Sequence, residues 1–114
     1  MKEPLSTIVG SQLSSVEFVQ DYVQLRFDGP CLTAFTPPTV QAGNGWSKWG
    51  NPGYRDMLCD RIGRTVCTAS VMEGQEIRLR FDDGTFISIS LLPEDYRGAE
   101  AAIFDKGHQE MWVW

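Results

Sequence analysis

The side chains through which this chain of 114 residues could do chemistry are few and scattered. His108 is the only histidine, and in the polar string DKGHQE it reads as a solvated turn residue rather than a catalytic imidazole. Cys31, Cys59 and Cys67 form no CxxC pair, and each has apolar neighbours, so they read as reduced thiols packed like small hydrophobes. A zinc site needs three or four nitrogen or sulfur ligands brought together. One imidazole and three dispersed thiols predict no metal, and no motif predicts an organic cofactor. A nucleophile needs a base within hydrogen-bond reach and a third group to orient that base, and no spacing in this sequence argues for one. Asp56 and Asp60 lie one helical turn apart between Arg55 and Arg61 and read as exposed helical charge. Glu94-Asp95 favours the start of a helical turn. Asp28, Asp82 and Asp83 precede glycines and read as turn residues, because a calcium loop would alternate its acids and close on a glutamate. Gly43, Gly45 and Gly50 stand between a strand and a helix, but no Lys-Ser or Lys-Thr follows to make a phosphate loop. The sequence therefore predicts no catalytic residue and no enzyme.

Binding is the chemistry it does offer. The segment TPPTVQAGNGWSKWGNPGY, residues 36–54, reads as a long loop without secondary structure, and such loops are often functional. Trp46, Lys48 and Trp49, with Tyr54 beyond them, are candidate contacts for a partner or a ligand. The competing reading folds both indoles back as a lid over an open end of the core. EMWVW at the C-terminus reads as an edge strand, with Met111 and Val113 facing one way and Trp112 and Trp114 the other. An uncovered edge pairs with another chain, so Trp112 and Trp114 either complete the core or meet a partner, a second copy in a homodimer included.

The elements that must position these residues are written twice. VQLRFDG at 23–29 returns as IRLRFDDG at 77–84. Gly10, Leu13 and Val16 match Gly63, Val66 and Ala69; Leu32, Ala34 and Thr36 match Ile87, Ile89 and Leu91. Each half alternates apolar and polar residues with the period of a half-buried strand. The expected strands are 12–19, 22–28 and 31–36, then 65–72, 75–82 and 85–92. Asp28-Gly29 suits a two-residue hairpin turn that pairs Leu25 with Leu32 and Val23 with Ala34. Asp82-Asp83-Gly84 suits a three-residue loop that pairs Leu79 with Ile87 and Ile77 with Ile89. A helix is expected over 52–62, with Asn51 as its N-cap, Pro52 at its first position and Tyr54, Met57, Leu58 and Ile62 on one face. PEDYRGAEAAIF predicts a turn and a short helix, and EMWVW a seventh strand with no counterpart in the first half. The expected architecture is one domain over 1–114 with repeat halves about 9–62 and 63–114. It is mainly β (α+β), with duplicated βββα units forming a small antiparallel sandwich or barrel-like fold and one or two short helices. Val23, Leu25, Phe27, Leu32, Ile77, Leu79, Phe81, Ile87 and Ile89 form its expected core.

Composition narrows the partners. Hydrophobic residues at 42% with 22% charged are ordinary globular proportions. No apolar run approaches the roughly 20 residues of a membrane helix, and MKEPLSTIVG has no signal-peptide pattern, so the expected location is the cytoplasm, with no membrane partner. Ten basic residues among fifteen acids give a net charge of −5, which argues against nucleic acid and favours solubility or a basic partner. LSSVEFVQDYVQLRFDGPCLT, PGYRDMLCDRIG and the terminal WVW resemble a family of small uncharacterised bacterial proteins, a domain of unknown function. The resemblance implies a compact bacterial cytoplasmic protein and carries no activity or site residue. Two functions follow. The first is a non-enzymatic protein-interaction module, immunity- or adaptor-like. The second is a small-ligand binding domain with its pocket under the Trp46/Trp49 loop.

Overall fold

The computed structural model of the chain describes residues 4–43, 45–107 and 109–114. A 3-10 turn over Pro4–Ile8 leads into β1 (Ser15–Val19), β2 (Tyr22–Arg26), β3 (Cys31–Ala34), β4 (Thr39–Ala42) and β5 (Gly45–Ser47). The helix α1 (Tyr54–Cys59) then leads into β6 (Val66–Met72), β7 (Glu76–Phe81), β8 (Phe86–Ser90), a 3-10 turn at Pro93–Asp95, β9 (Ala102–Gly107) and β10 (Glu110–Val113). The strands form two antiparallel five-stranded sheets, ordered β1-β2-β3-β9-β10 and β5-β4-β8-β7-β6. The architecture is a mainly β, sandwich-like fold. His108, read from sequence as a turn residue, lies outside the described residues.

Both central hairpins take the register that their apolar alternation demands. Leu25 faces Leu32 and Val23 faces Ala34; Leu79 faces Ile87 and Ile77 faces Ile89. A slip of one residue would turn each apolar row to water. Asp28 and Gly29 hold φ of 57° and 127°, the positive values that a two-residue turn of this hand requires. The nine expected core residues are all buried, joined by Leu5, Ile8, Leu13, Val40, Leu58 and Phe104.

The halves exchange strands. The β4–β5 hairpin leaves the first half, and its β4 pairs with β8, placing Val40 opposite Ile87. The β9–β10 hairpin leaves the second half, and its β9 pairs with β3, placing Phe104 opposite Leu32. The segments ahead of β1 and β6 pair in the same symmetric way. Gly10 N–H donates to Val66 O and Gly63 N–H to Leu13 O, both at 2.8 Å. Leu13 N–H donates to Arg64 O at 3.1 Å and Val66 N–H to Ser11 O at 2.9 Å. The equivalence reaches back through the helical turns, where Leu5, Ile8 and Val9 stand for Leu58, Arg61 and Ile62. Val9 and Ile62 match in exposure, at 45% and 44%. Ile62 therefore does not share the buried face of Tyr54 and Leu58.

This exchange corrects three expectations. Residues 36–54 are not an unstructured loop, because the β4–β5 hairpin extends the second sheet. EMWVW does have a counterpart: Met111 faces Asp105 on β9 as Trp46 faces Gln41 on β4. The helix expected after Gly98 is strand β9, since pairing to β3 outweighs the helix preference of Ala101-Ala102. The helix expected over 52–62 is shorter. Gly53, with φ of 78°, occupies its N-cap, and Asn51 is taken up by the preceding turn, where its Oδ1 accepts the Lys48 N–H at 2.8 Å.

Candidate functional site

The turn that displaces Asn51 from the cap also shapes a candidate site. Asn51 N–H donates to Lys48 O at 2.9 Å, closing 48–51 and laying Trp49 against the start of α1. The Trp49 and Tyr54 rings meet edge to face at 6.0 Å between centroids. Tyr54 is buried and donates its hydroxyl to the Pro38 carbonyl, tying α1 to the strand connection ahead of β4. Burial pushes the Tyr54 phenol far above its ordinary pKa, so it stays a neutral donor. Arg55, the next residue, sits with its Cζ 5.3 Å from the centroid of the Trp49 ring and 5.7 Å from that of Phe18 on β1. A cavity of about 340 Å³ opens beside this stack, walled by Trp49, Pro52, Tyr54, Arg55 and Asp56.

Tyr54→Phe keeps the ring but leaves the buried Pro38 carbonyl without its donor. We expect a loss of about 1–2 kcal/mol, read as a lower urea midpoint at unchanged m-value.

The cavity continues along the first sheet. A narrow slot between Trp49, Val19, Tyr22, Phe35, Pro37 and Arg97 leads away from it. Beyond lies a second cavity of about 240 Å³ between Asp21, Phe35, Arg97 and Glu100. Tyr22 and Phe35 also border a concavity of about 480 Å³ on the outer face of the sheet, with Gln24, Thr33, Ile103 and Met111. Trp49 borders both the first cavity and the slot, and Phe35 and Tyr22 border both the slot and the outer concavity, so these side chains line one run of depressions. It ends at β10, an edge strand, where Met111 and Val113 are 53% and 57% exposed.

Of the six residues singled out from sequence, Trp49 and Tyr54 come together here. Lys48 is exposed in the turn beside Trp49. Trp46 is 58% exposed on the other sheet, where its ring meets Phe86 edge-on at 5.5 Å. Trp46 is not among the residues that wall the cavity beside Trp49. Trp112 packs on Phe104 at 6.0 Å, and Trp114 lies against the core with its backbone bonded to Ala101 and Ala102. The faces of β10 divide as its alternation implies, with both indoles turned inward.

Phe18, Tyr22, Phe35, Arg55, Arg97 and Ile103 were not singled out from sequence. The echo of Tyr54-Arg55 in Tyr96-Arg97 was the one signal that pointed at both arginines. Burial pushes the Cys31 and Cys59 thiols up from their ordinary value, which disfavours the reactive thiolate at both. Among the described residues, no group of three or more His, Cys, Asp or Glu is placed to hold a metal ion, and no helix is long and apolar enough to cross a membrane.

No family model, no curated protein and no solved structure matches the chain.

Proposed function

We propose that this chain is a non-enzymatic protein-interaction module that receives an extended segment of a partner protein along the outer face of the first sheet. The observation behind this reading is the continuity of the open surface from Trp49 through Phe35 and Tyr22 to Ile103 and Met111. A run of shallow concavities separated by aromatic side chains suits successive side chains of a polypeptide better than one enclosed metabolite. The free edge of β10 adds unpaired backbone groups beside this mixed aromatic and polar face, the setting for strand addition by a partner or a second copy. The reading gives no residue a catalytic role, and an immunity- or adaptor-like task in the cytoplasm is its natural setting.

The test is selection of displayed random peptides on the full chain. Recovered peptides should lose about 10–100-fold in affinity on Ile103→Asp, the price of one interface anchor, and should be indifferent to Trp46→Ala on the other sheet. Failure to recover any binder, or recovery of binders indifferent to Ile103→Asp, would overturn the reading.

A further inference from the structure

We propose that Arg55 is the anchor of a carboxylate site, taking a carboxylate borne on an apolar group into the cavity beside Trp49. The proposal rests on the partner-binding reading, since such a group is what a peptide's C-terminal residue or acidic side chain presents.

Three observations carry it. The first is that Arg55, though exposed, is stacked without being paired to a carboxylate among the described residues. Its guanidinium lies over two aromatic rings, those of Trp49 and Phe18, and cation–π contact restrains the side chain while leaving N–H groups to donate. The second is the state of the other cations. Among the described residues Arg26, Arg61, Arg64, Arg78 and Lys106 are each paired with a carboxylate. Lys48, Arg55, Arg80 and Arg97 have no such partner among the described residues, and of these Arg55 and Arg97 line the open surface, although acids outnumber bases fifteen to ten in the chain. At contact distance local charge outweighs the net −5, because screening confines exposed charges to roughly 8 Å at physiological salt. The net charge of the chain therefore does not by itself oppose an anion held directly against Arg55.

The third is the wall itself. Pro52, Trp49 and Tyr54 offer apolar surface, and Asp56 is the other charge. With one cation and one anion, the wall has no net positive charge to offset the greater desolvation cost of a phosphate dianion relative to a carboxylate. A carboxylate also matches the guanidinium fork with two oxygens in one plane. The cavity, at about 340 Å³, has room for a group the size of one amino-acid residue.

The test titrates the full chain while following the Arg55 Nε–H resonance. The probes are N-acetyl-tryptophan, N-acetyl-glutamate amide, N-acetyl-tryptophanamide and inorganic phosphate. At least one carboxylate probe should saturate with a Kd on the order of 1 mM, as expected of so small a ligand. The N-acetyl-tryptophan and glutamate arms tell a terminal from a side-chain carboxylate. N-acetyl-tryptophanamide and phosphate should bind at least tenfold more weakly. Arg55→Gln and Arg55→Lys, followed by the Trp49 indole N–H, should each lose tenfold or more, the lysine variant because it keeps the charge and loses the fork. Equal binding of N-acetyl-tryptophanamide, tighter binding of phosphate, retention in Arg55→Gln, or no saturable response would overturn the site. If it falls while displayed peptides still bind through Ile103, the partner-binding reading stands without it.

Discussion

Neither half of the chain, produced alone, should fold as a monomer. Residues 4–52 carry β1-β2-β3 of one sheet and β4-β5 of the other; residues 53–114 carry β6-β7-β8 and β9-β10 in the mirrored arrangement. Separated, each three-stranded sheet keeps one apolar face with nothing opposite and loses the hairpin that extends it. Phe104 would lose Leu32 and Val40 would lose Ile87, both central pairings of the intact core. A chain of about 60 residues is already marginal with a complete core, and loss of half its packing removes far more than the 5–15 kcal/mol of a typical domain. We expect each fragment alone to lack dispersed amide resonances and a cooperative melt. An equimolar mixture should recover both, with sedimentation showing a one-to-one complex. The second fragment could fold by itself only as a dimer in which two copies trade their β9–β10 hairpins. A fragment that melts cooperatively as a monomer would show that strand exchange is not what holds the halves together.

The same exchange marks the limit of what the sequence made legible. β2, β3, β7 and β8 announce themselves because strict apolar alternation and Asp-Gly turns fix both period and register. β4 and β5 span four and three residues in a segment of glycine and proline, too short for any periodicity to show. β9 begins with Ala-Ala, good helix formers, and becomes a strand because the β3 edge offers it partners. Which half a hairpin joins is a tertiary fact that local pattern does not encode. The site divides along the same line. Trp49 and Tyr54 stood out as aromatics in a glycine-framed segment, whereas the role of Arg55 depends on Phe18, which reaches it from β1. The inward turn of Trp112 and Trp114 was one of two faces that the alternation left open.

The departure from symmetry yields the other large effect. Where the first half buries Ile8, the second buries Arg61. The second half also carries one extra residue in its hairpin, since Asp28-Gly29 becomes Asp82-Asp83-Gly84. The two departures meet: Arg61 Nη1 lies 3.2 Å from Asp83 Oδ2. Asp83 also accepts from the Thr85 N–H at 3.1 Å and faces Arg64 Nε at 3.4 Å. Burial pushes the Asp83 carboxyl up, but the Thr85 hydrogen bonds and the two guanidinium groups outweigh it and hold the carboxyl below its ordinary value. Its contribution to stability is therefore complete above the unfolded carboxyl pKa of roughly 3.9 and fades as pH falls through the lower folded value. Asp83→Ala strands a buried guanidinium and should cost about 2–4 kcal/mol at neutral pH. That deficit should shrink as pH falls through the lowered folded value, where wild type loses the same charge. Arg61→Ile together with deletion of Asp83 rebuilds the arrangement of the first half, and should restore stability to within about 1 kcal/mol of wild type or exceed it. Urea denaturation of the three chains across pH decides the matter. An Asp83→Ala variant as stable as wild type at pH 7 would mean that the ion pair and the longer turn are unrelated. Recovery in the doubly altered chain would mean that the inserted aspartate is retained because an arginine replaced an isoleucine in the core.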